Sequence, residues 1–174
     1  MNKKQVLLLQ LLERSGPRLQ GMLTRLMLDE HAAEELMQDL FIRLFEMEHI
    51  ESIGNLQAYA YRVAINLAFD RRRKLRLFSE VSDNQPDYRL HPVDQQMIQS
   101  EQLHQILNAL EQLSVQMREC LVLRYIEQMN DCQIAERLQK TPQQVRGLCS
   151  KGLDRIRQIL NKQEASFYKE AVNE

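Results

Sequence analysis

Residues 141–160 read TPQQVRGLCSKGLDRIRQIL, and this stretch constrains the fold more than any other part of the chain. Thr141 can cap the first turn of a helix, Pro142 suits the first helical position, and Gln144 completes a Thr-x-x-Gln capping box. Apolar and small residues then recur at helical spacing, namely Val145, Leu148, Cys149, Gly152, Ile156 and Leu160. The other side is mostly polar and basic, with Gln143, Arg146, Ser150, Lys151, Arg155 and Arg157. The pattern predicts a helix that buries one side and offers hydrogen-bond donors on the other.

A second capped helix is predicted directly before this one, at residues 130–138. Asn130 is the candidate cap, Gln133 follows three residues later, and Ile134, Ala135 and Leu138 form a short apolar face. Two short helices in this arrangement, the second one basic, are typical of a DNA-binding helix-turn-helix. The alternative is an ordinary helical hairpin, since capped amphipathic pairs also occur in other helical proteins.

The composition favours a helical protein with compact cores. A chain of 174 residues can form one domain or two small ones, and 44% apolar content is sufficient for either. Apolar residues recur at three- and four-residue spacing almost throughout, so the predicted class is all-α. The net charge of −1 argues against a free-standing, strongly basic DNA-binding protein.

The charges are sorted along the chain. Residues 29–51 contain eight acidic residues and one basic residue, a net −7. Residues 62–76 contain six basic residues and one acidic residue, a net +5, and residues 137–157 have the same balance. Charged helix faces are often merely solvated, but this separation favours charged partners.

The chain begins with an apolar run that we interpret as an amphipathic helix rather than a secretory leader. The run is interrupted by Gln10, ends at Glu13 and Arg14, and lacks a small-residue cleavage site. Residues 15–17, Ser-Gly-Pro, are expected to break this helix before a second helical pattern begins at Leu19.

Two further helices are predicted to begin at Asp29 and Asn55. The first has a sustained apolar stripe, formed by Ala33, Leu36, Met37, Leu40, Phe41, Leu44 and Phe45, opposite an acidic face. The second runs to about Arg76 and places on one side Tyr59, Ala60, Val63, Ala64 and Leu67. Its other side carries Tyr61, Arg62, Ile65, Asn66, Phe69 and Asp70, followed by the basic run 71–74.

This second helix has two possible interpretations. Aromatic, amide and basic side chains at helical spacing suit single-stranded nucleic acid, which offers bases for stacking and phosphates for ion pairing. Alternatively, Tyr61, Ile65 and Phe69 pack a second core face and the basic end is only solvated. The residues by themselves leave both open.

Residues 79–100 lack a sustained apolar stripe and contain Pro86 and Pro92, which predicts a flexible, acidic linker. A second helical unit is predicted from Glu101, with Ser114 as the cap of its second helix. The expected organisation is therefore two small helical domains, 1–78 and 101–174, joined by the linker 79–100.

The chain shows no pattern that predicts catalysis or a cofactor. Cys120, Cys132 and Cys149 have no paired spacing and are expected to be buried small residues in a protein of the reducing cytoplasm. The four histidines are scattered, and neither a phosphate-binding glycine loop nor a nucleophile motif appears. We therefore predict no catalytic residue, no metal and no cofactor.

Three blocks, in this order, resemble a bacterial RNA polymerase sigma factor of the small extracytoplasmic-function (ECF) group. AEELMQDLFIRLFE at 33–46 resembles the segment with which that family holds the β′ clamp helices of core polymerase. NLQAYAYRVAINLAFDRRRK at 55–74 resembles its helix that melts and reads the −10 element. The segments LNALEQLSVQMRECLVLRYIEQMNDCQIAERL at 107–138 and 141–160 resemble its domain that reads the −35 element.

The resemblance implies three sets of contact residues. Polymerase would be contacted by Glu35, Gln38 and Asp39. The −10 element would be contacted by Tyr59, Arg62, Asn66, Asp70, Arg71, Arg72, Arg73 and Lys74. The −35 element would be contacted by Gln143, Gln144, Arg146, Ser150, Lys151 and Arg155.

The resemblance also implies the partners: core RNA polymerase, through its β′ clamp helices and β flap, and promoter DNA. An anti-sigma protein is a candidate regulator, and no small-molecule substrate is expected. An autonomous helix-turn-helix regulator is the alternative function, although it does not explain the acidic residues 29–51 or the linker. A purely protein-binding adaptor is a third, which the intact basic runs disfavour.

Several positions depart from the usual pattern of the family. Tyr59 stands where a Trp is common, and Gln133 replaces the usual Glu of the helix-turn-helix. Gln139 occupies the turn position that generally holds Gly, which costs roughly 1 kcal/mol if the backbone there is left-handed. Gly147 and Gly152 each loosen the predicted recognition helix by about 1 kcal/mol relative to Ala. Gly152 is expected to allow close helix packing, whereas Gly147 leaves the DNA face without a side chain.

Overall fold

The computed structural model describes residues 2–81 and 95–172. Within these ranges the chain folds into seven α-helices and no strand, which confirms the all-α class. Their bounds are α1 Lys3–Met27, α2 Glu30–Glu46, α3 Leu56–Val81, α4 Gln95–Glu111, α5 Val115–Leu121, α6 Asp131–Leu138 and α7 Pro142–Val172. A short 3-10 turn, Ile50–Ser52, precedes α3, and a π-helical segment, Val122–Ile126, continues α5.

The helices form two groups, as predicted. Helices α1, α2 and α3 pack on one another and form the N-terminal domain, while α7 packs against α4, α5 and α6 to form the C-terminal domain. The two domains touch through α3 and α5, so that buried residues of both belong to one continuous apolar cluster. Helices α3 and α4 extend into the predicted linker range 79–100 from either side, and residues 82–94 lie outside the described part of the chain.

The predicted break at residues 15–17 is wrong, because α1 is continuous from Lys3 to Met27 with Pro17 inside it. Proline in a helix removes one backbone hydrogen bond, but the helix survives where packing holds both sides of it. Here Leu11 before the proline and Leu19 after it are both buried. Ser15 is also buried, and its hydroxyl accepts a hydrogen bond of 2.7 Å from the Gln57 side chain of α3.

The predicted caps of the N-terminal domain are confirmed. The Asp29 carboxylate accepts a hydrogen bond from the Ala32 backbone N–H at 3.1 Å, and the Asn55 side chain accepts one from Ala58 at 2.9 Å. The predicted stripe of α2 is correct except at its end, since Phe45 is 54% exposed. Capping is a local interaction, and the sequence therefore locates the starts of helices better than their buried faces.

The helix-turn-helix is present, formed by α6 and α7. Both capping boxes are formed: Gln133 N–H donates to Asn130 at 2.9 Å, and Gln144 N–H donates to Thr141 at 3.2 Å. Between the helices Gln139 is left-handed, with φ 54° and ψ 49°, and therefore carries the predicted cost of a non-glycine residue. Ser114 caps α5, as expected, and α7 continues to Val172.

The prediction that all three cysteines are buried is wrong for one of them. Cys120 and Cys149 are buried, but Cys132 is exposed. Cys132 is the second residue of α6. The few apolar residues of this short helix do not indicate which side of its first turn faces solvent. The two buried thiols contact each other, and this hydrogen bond together with burial raises the pKa of Cys120 above its usual range.

The two glycines of α7 have opposite surroundings, which generates a stability prediction. A Cβ at Gly152 would lie 2.8 Å from Cδ1 of the buried Leu121, whereas a Cβ at Gly147 would meet nothing within 4 Å. We expect Gly147→Ala to raise the free energy of unfolding by about 1 kcal/mol through helix propensity alone. The matched Gly152→Ala should fall short of that gain because Leu121 must move. Equal gains in denaturant unfolding would contradict this account.

Candidate polymerase and nucleic-acid interfaces

The three residues predicted to contact polymerase are all exposed on α2. Glu35, Gln38 and Asp39 share one side of the helix, because residues three and four apart are neighbours on a helix surface. Glu35 also forms an exposed ion pair of 2.8 Å with Arg71 of α3, which lies in the predicted −10 set. Further along α2, Ile42 is 54% exposed, so the acidic side continues into an apolar one.

The predicted −35 residues lie together on the exposed side of α7. Gln143, Arg146, Ser150, Lys151 and Arg155 are all exposed. Arg146 lies 3.5 Å from Asp131 of α6, and Arg155 donates a hydrogen bond of 3.2 Å to Gln158.

Gln144 differs from the other −35 candidates because its side chain already has a structural partner. Its Oε1 accepts a hydrogen bond of 2.9 Å from the Thr141 backbone N–H and so closes the capping box. Its amide nitrogen remains the group that could donate to another molecule. Gly147 leaves open space in the middle of this surface.

The basic end of α3 is mostly accessible. Asp70 and Arg73 form an exposed ion pair, and Lys74 is exposed. Tyr59, at the other end of the predicted −10 set, is half-buried. These side chains offer positive charge and a partly accessible ring, but they do not form one continuous surface with the rest of the set.

Arg62 and Asn66, in the middle of the −10 set, face the C-terminal domain. Arg62 Nε lies 3.5 Å from Oε1 of Glu119, and Asn66 Nδ2 donates to the same oxygen at 3.5 Å. Glu119 belongs to α5 and is 2% exposed. Burial raises the pKa of the Glu119 carboxyl above its usual range, and the charge of Arg62 opposes this rise.

Arg72 is the most enclosed member of the −10 set, with 9% exposure. Its guanidinium donates to the Leu26 carbonyl and to the Asn108 side chain, each at 3.1 Å, and its Nε lies 3.9 Å from Glu111. Burial lowers the pKa of Arg72, and the charge of Glu111 counteracts the effect. The side chain therefore joins α3, the end of α1 and α4.

Two aromatic rings of α3 are covered rather than available for base stacking. Tyr61, Ile65 and Phe69 have no exposed surface, which agrees with the alternative that they pack a second core face. The guanidinium of Arg137 lies 4.3 Å from the Tyr61 ring centre, and that of Arg118 lies 4.8 Å from the Phe69 ring centre. Both arginines come from the C-terminal domain, and such cation–π contacts are stabilising when desolvated.

The sequence reasoning missed the C-terminal residues that meet α3. Glu111 and Glu119 supply the carboxylates, Asn108 supplies an amide, and Arg118 and Arg137 stack on the rings. A signal was present in the spacing: Glu111 lies four residues after the buried Leu107, and Glu119 four residues before the buried Leu123. An acid on the buried side of a helix requires a partner, and α3 carries an excess of basic residues.

Sequence comparison identifies both halves of the chain. The family model for sigma-70 region 2 matches residues 11–78, and the model for sigma-70 region 4 matches residues 109–158. This chain belongs to the sigma-70 family. It is a sigma factor of the ECF group, and such sigma factors are transcription initiation factors that are generally not enzymes.

Individual proteins are also similar to this sigma factor, one in sequence and one in fold. The chain is 25% identical over 138 residues to the ECF RNA polymerase sigma factor SigX of Bacillus subtilis (strain 168), covering 74% of this chain and 71% of SigX. Its fold is similar to that of CnrH in a complex with the cytosolic domain of CnrY. That match has a TM-score of 0.52 and 19% identity, and covers 91% of this chain and 90% of CnrH.

In the ranges 2–81 and 95–172, no helix is long and apolar enough to cross a membrane. Nor do three His, Cys, Asp or Glu side chains come together there in a group that could hold a metal ion. The absence of a metal from the whole sigma factor stays a prediction.

Arg72 is enclosed and Arg73 is exposed, so replacing each with Ala should lower the free energy of unfolding by different amounts. Arg72→Ala should lower the free energy of unfolding by about 2 kcal/mol or more, because it leaves the Glu111 carboxylate with fewer partners in a buried setting. The neighbouring Arg73→Ala removes only an exposed pair and should cost less than about 1 kcal/mol. Urea unfolding of both variants checks the difference, and equal costs would show that Arg72 is not a structural residue.

Proposed function

We propose that this sigma factor uses three separate helices for three tasks in promoter-specific initiation. Helix α2 docks on core polymerase, α3 captures the separated −10 strand, and α7 reads the −35 element. The observation that supports this division is the order of the two sigma-70 regions together with one acidic and two basic helix faces. We also propose that the N-terminal domain comprises residues 1–78 and the C-terminal domain residues 101–174, joined by 79–100.

Docking on polymerase is assigned to the exposed acidic side of α2. Glu35, Gln38 and Asp39 are exposed, so they can meet the β′ clamp helices once Glu35 releases its exposed ion pair with Arg71. Electrostatic complementarity of this kind fixes orientation and raises the association rate. The C-terminal domain would contact the β flap. This docking places the protein in the cytoplasm with polymerase, and it requires no catalysis or cofactor of the chain itself.

Recognition of the −35 element is assigned to α7, which would lie in the major groove of duplex DNA. Gln143, Arg146, Ser150 and Lys151 are exposed side chains that can reach base edges or phosphates, and Arg155 lies further along, where phosphate contact is favoured. The Gln144 amide nitrogen completes this set. The net charge of −1 fits the proposal, since polymerase would supply most of the attraction to phosphates.

Recognition of the −10 element is assigned to α3. Arg71, Arg73 and Lys74 offer accessible positive charge to the strand, and Tyr59, Arg62, Asn66 and Asp70 complete the proposed contacts. Arg72, the remaining member of the predicted set, would support α3 through its hydrogen bonds to Leu26 and Asn108. Bases would be held by stacking and by amide and guanidinium hydrogen bonds.

We further propose an anti-sigma protein as a regulator of this chain. The similarity of its fold to CnrH, which was solved with the cytosolic domain of CnrY, supports a protein partner of this kind. The exposed α2 side, which continues from acidic residues to Ile42, is the surface such a partner would compete for.

Run-off transcription tests the central proposal. Core polymerase of the encoding organism, mixed with this chain and fragmented genomic DNA, should produce discrete transcripts that core polymerase alone does not. The mapped start sites should share two sequence elements at a constant spacing. Transcripts without a shared upstream sequence would contradict promoter-specific initiation.

The docking assignment predicts a loss of polymerase affinity on charge removal. Asp39→Asn should weaken binding to core polymerase by about tenfold, equivalent to about 1.4 kcal/mol, measured by fluorescence polarisation. The matched control is Glu30→Gln, which removes one charge from a different side of the same helix. If both variants weaken binding equally, only the net charge of α2 matters and the assigned face is wrong.

The −35 assignment predicts a sequence-dependent defect. Gln143→Ala should lower run-off transcription from a mapped promoter by about tenfold, because a good side-chain contact to a base contributes roughly 1–3 kcal/mol. On a promoter with a scrambled −35 element, the wild type and Gln143→Ala should give equal run-off transcription, since neither protein makes the contact there. Lys162→Ala, exposed near the far end of α7, is the control and should keep wild-type transcription. An equal defect on the scrambled promoter would contradict base reading.

A further inference from the structure

Arg146, a member of the predicted −35 set, is held on one edge by a carboxylate from the preceding helix. Its Nη1 lies 3.5 Å from Oδ2 of Asp131, the first residue of α6. The Arg146 side chain is 62% exposed all the same. A guanidinium carries five N–H donors, so Nη2 and Nε still offer donors to another molecule.

Asp131 is itself held by a second arginine of the C-terminal domain. Its other carboxylate oxygen, Oδ1, is paired with Arg124 of the π-helical segment. The side chains of Asp131 and Arg124 are 26% and 25% exposed, so both are largely withdrawn from solvent. The carboxylate therefore joins a partly buried arginine to the exposed arginine of α7.

The pair of Arg146 and Asp131 differs from the other ion pair of α7. Arg157 pairs with Asp154 within α7 itself, and both side chains are more than half exposed. Such a pair restrains a long side chain only weakly. Arg146 instead meets a residue of a second helix, and the contact of that residue with Arg124 fixes where its carboxylate lies.

From this geometry we infer that Asp131 is a positioning residue, which orients Arg146 so that its remaining donors bind a guanine of the −35 element. The inference rests on the proposed role of α7. Two parallel hydrogen bonds to O6 and N7 of guanine are the commonest specific contact of arginine in the major groove. They require a defined guanidinium plane, and a carboxylate on one edge supplies that restriction before DNA binds.

The same carboxylate disfavours the alternative contact of Arg146 with a phosphate. Asp131 places a negative charge beside the guanidinium, and this charge opposes the approach of a phosphate. A hydrogen bond to a base edge depends on direction, so it gains from a guanidinium that is already oriented. Arg146 is therefore assigned to sequence reading rather than to general attraction for DNA.

Transcription by the holoenzyme of core polymerase and the full chain tests the inference. Each −35 base pair of a mapped promoter is replaced in turn, and run-off transcription from the original promoter is divided by that from the substituted one. Arg146→Ala should lower this ratio about tenfold at one G·C pair and by less than about twofold elsewhere. Asp131→Asn, which removes the charge at nearly constant size, should lower it about threefold at the same pair only.

Three further variants separate positioning from a purely structural role. Asp131→Glu keeps the charge, and its ratio at the G·C pair should stay within about twofold of the wild type. Glu136→Gln removes a charge from an exposed position of the same helix and should leave every ratio unchanged. The double variant Asp131→Asn/Arg146→Ala should match Arg146→Ala, because no arginine is left to orient. Circular dichroism verifies that all variants are folded.

The outcomes distinguish this inference from the proposed role of α7. An additional loss in the double variant would show that Asp131 acts independently of Arg146, and an equal loss at every −35 position would make Asp131 only a structural residue. Either result would overturn the inference. So would an Arg146→Ala defect that is the same for every base pair, since that indicates phosphate contact.

Gln143→Ala shows which of the two proposals fails if Asp131→Asn and Arg146→Ala leave all ratios unchanged. A sequence-dependent defect of Gln143→Ala would then mean that α7 reads the −35 element without the pair of Asp131 and Arg146, and only the present inference would fall. Without such a defect, the proposed role of α7 would fall as well.

Discussion

Two buried carboxylates of the C-terminal domain hold it against the N-terminal domain, because their charge is compensated largely by basic side chains of α3. Glu119 meets Arg62 and Asn66, while Glu111 meets Arg72 and Arg76. An unpaired buried charge is costly, so wherever these acids are buried they lie against the basic side of α3. These contacts join α4 and α5 to α3, while the predicted −35 residues of α7 lie exposed elsewhere.

A single basic surface can consequently serve two partners. The donors that neutralise internal carboxylates are the ones that a nucleic-acid strand needs, and both partners present oxygen acceptors. Each pair is weak by itself because desolvation offsets the attraction. The contact between the domains is therefore specific in geometry, although each ion pair in it is individually weak.

Much of the fold was predictable because it depends on short-range interactions. The caps at Asp29, Asn55 and Asn130 and the capping box at Thr141 each involve residues three positions apart, which the sequence displays directly. The breaks and buried faces were less predictable. The continuous α1 through Pro17, and the exposed Phe45 and Cys132, depend on packing that local patterns do not specify.

Periodicity, capping and motif order are local properties of the chain, and they were sufficient to predict the helical class, the two-part organisation and the residues that resemble the family's contacts. Which of those residues are accessible became known from the folded arrangement of the helices. Arg62, Asn66 and Arg72 look equivalent to Arg73 and Lys74 in the sequence, yet they meet acids and amides from a distant part of the chain. Their accessibility depends on long-range packing between α3 and the C-terminal domain, and no local pattern contains that information.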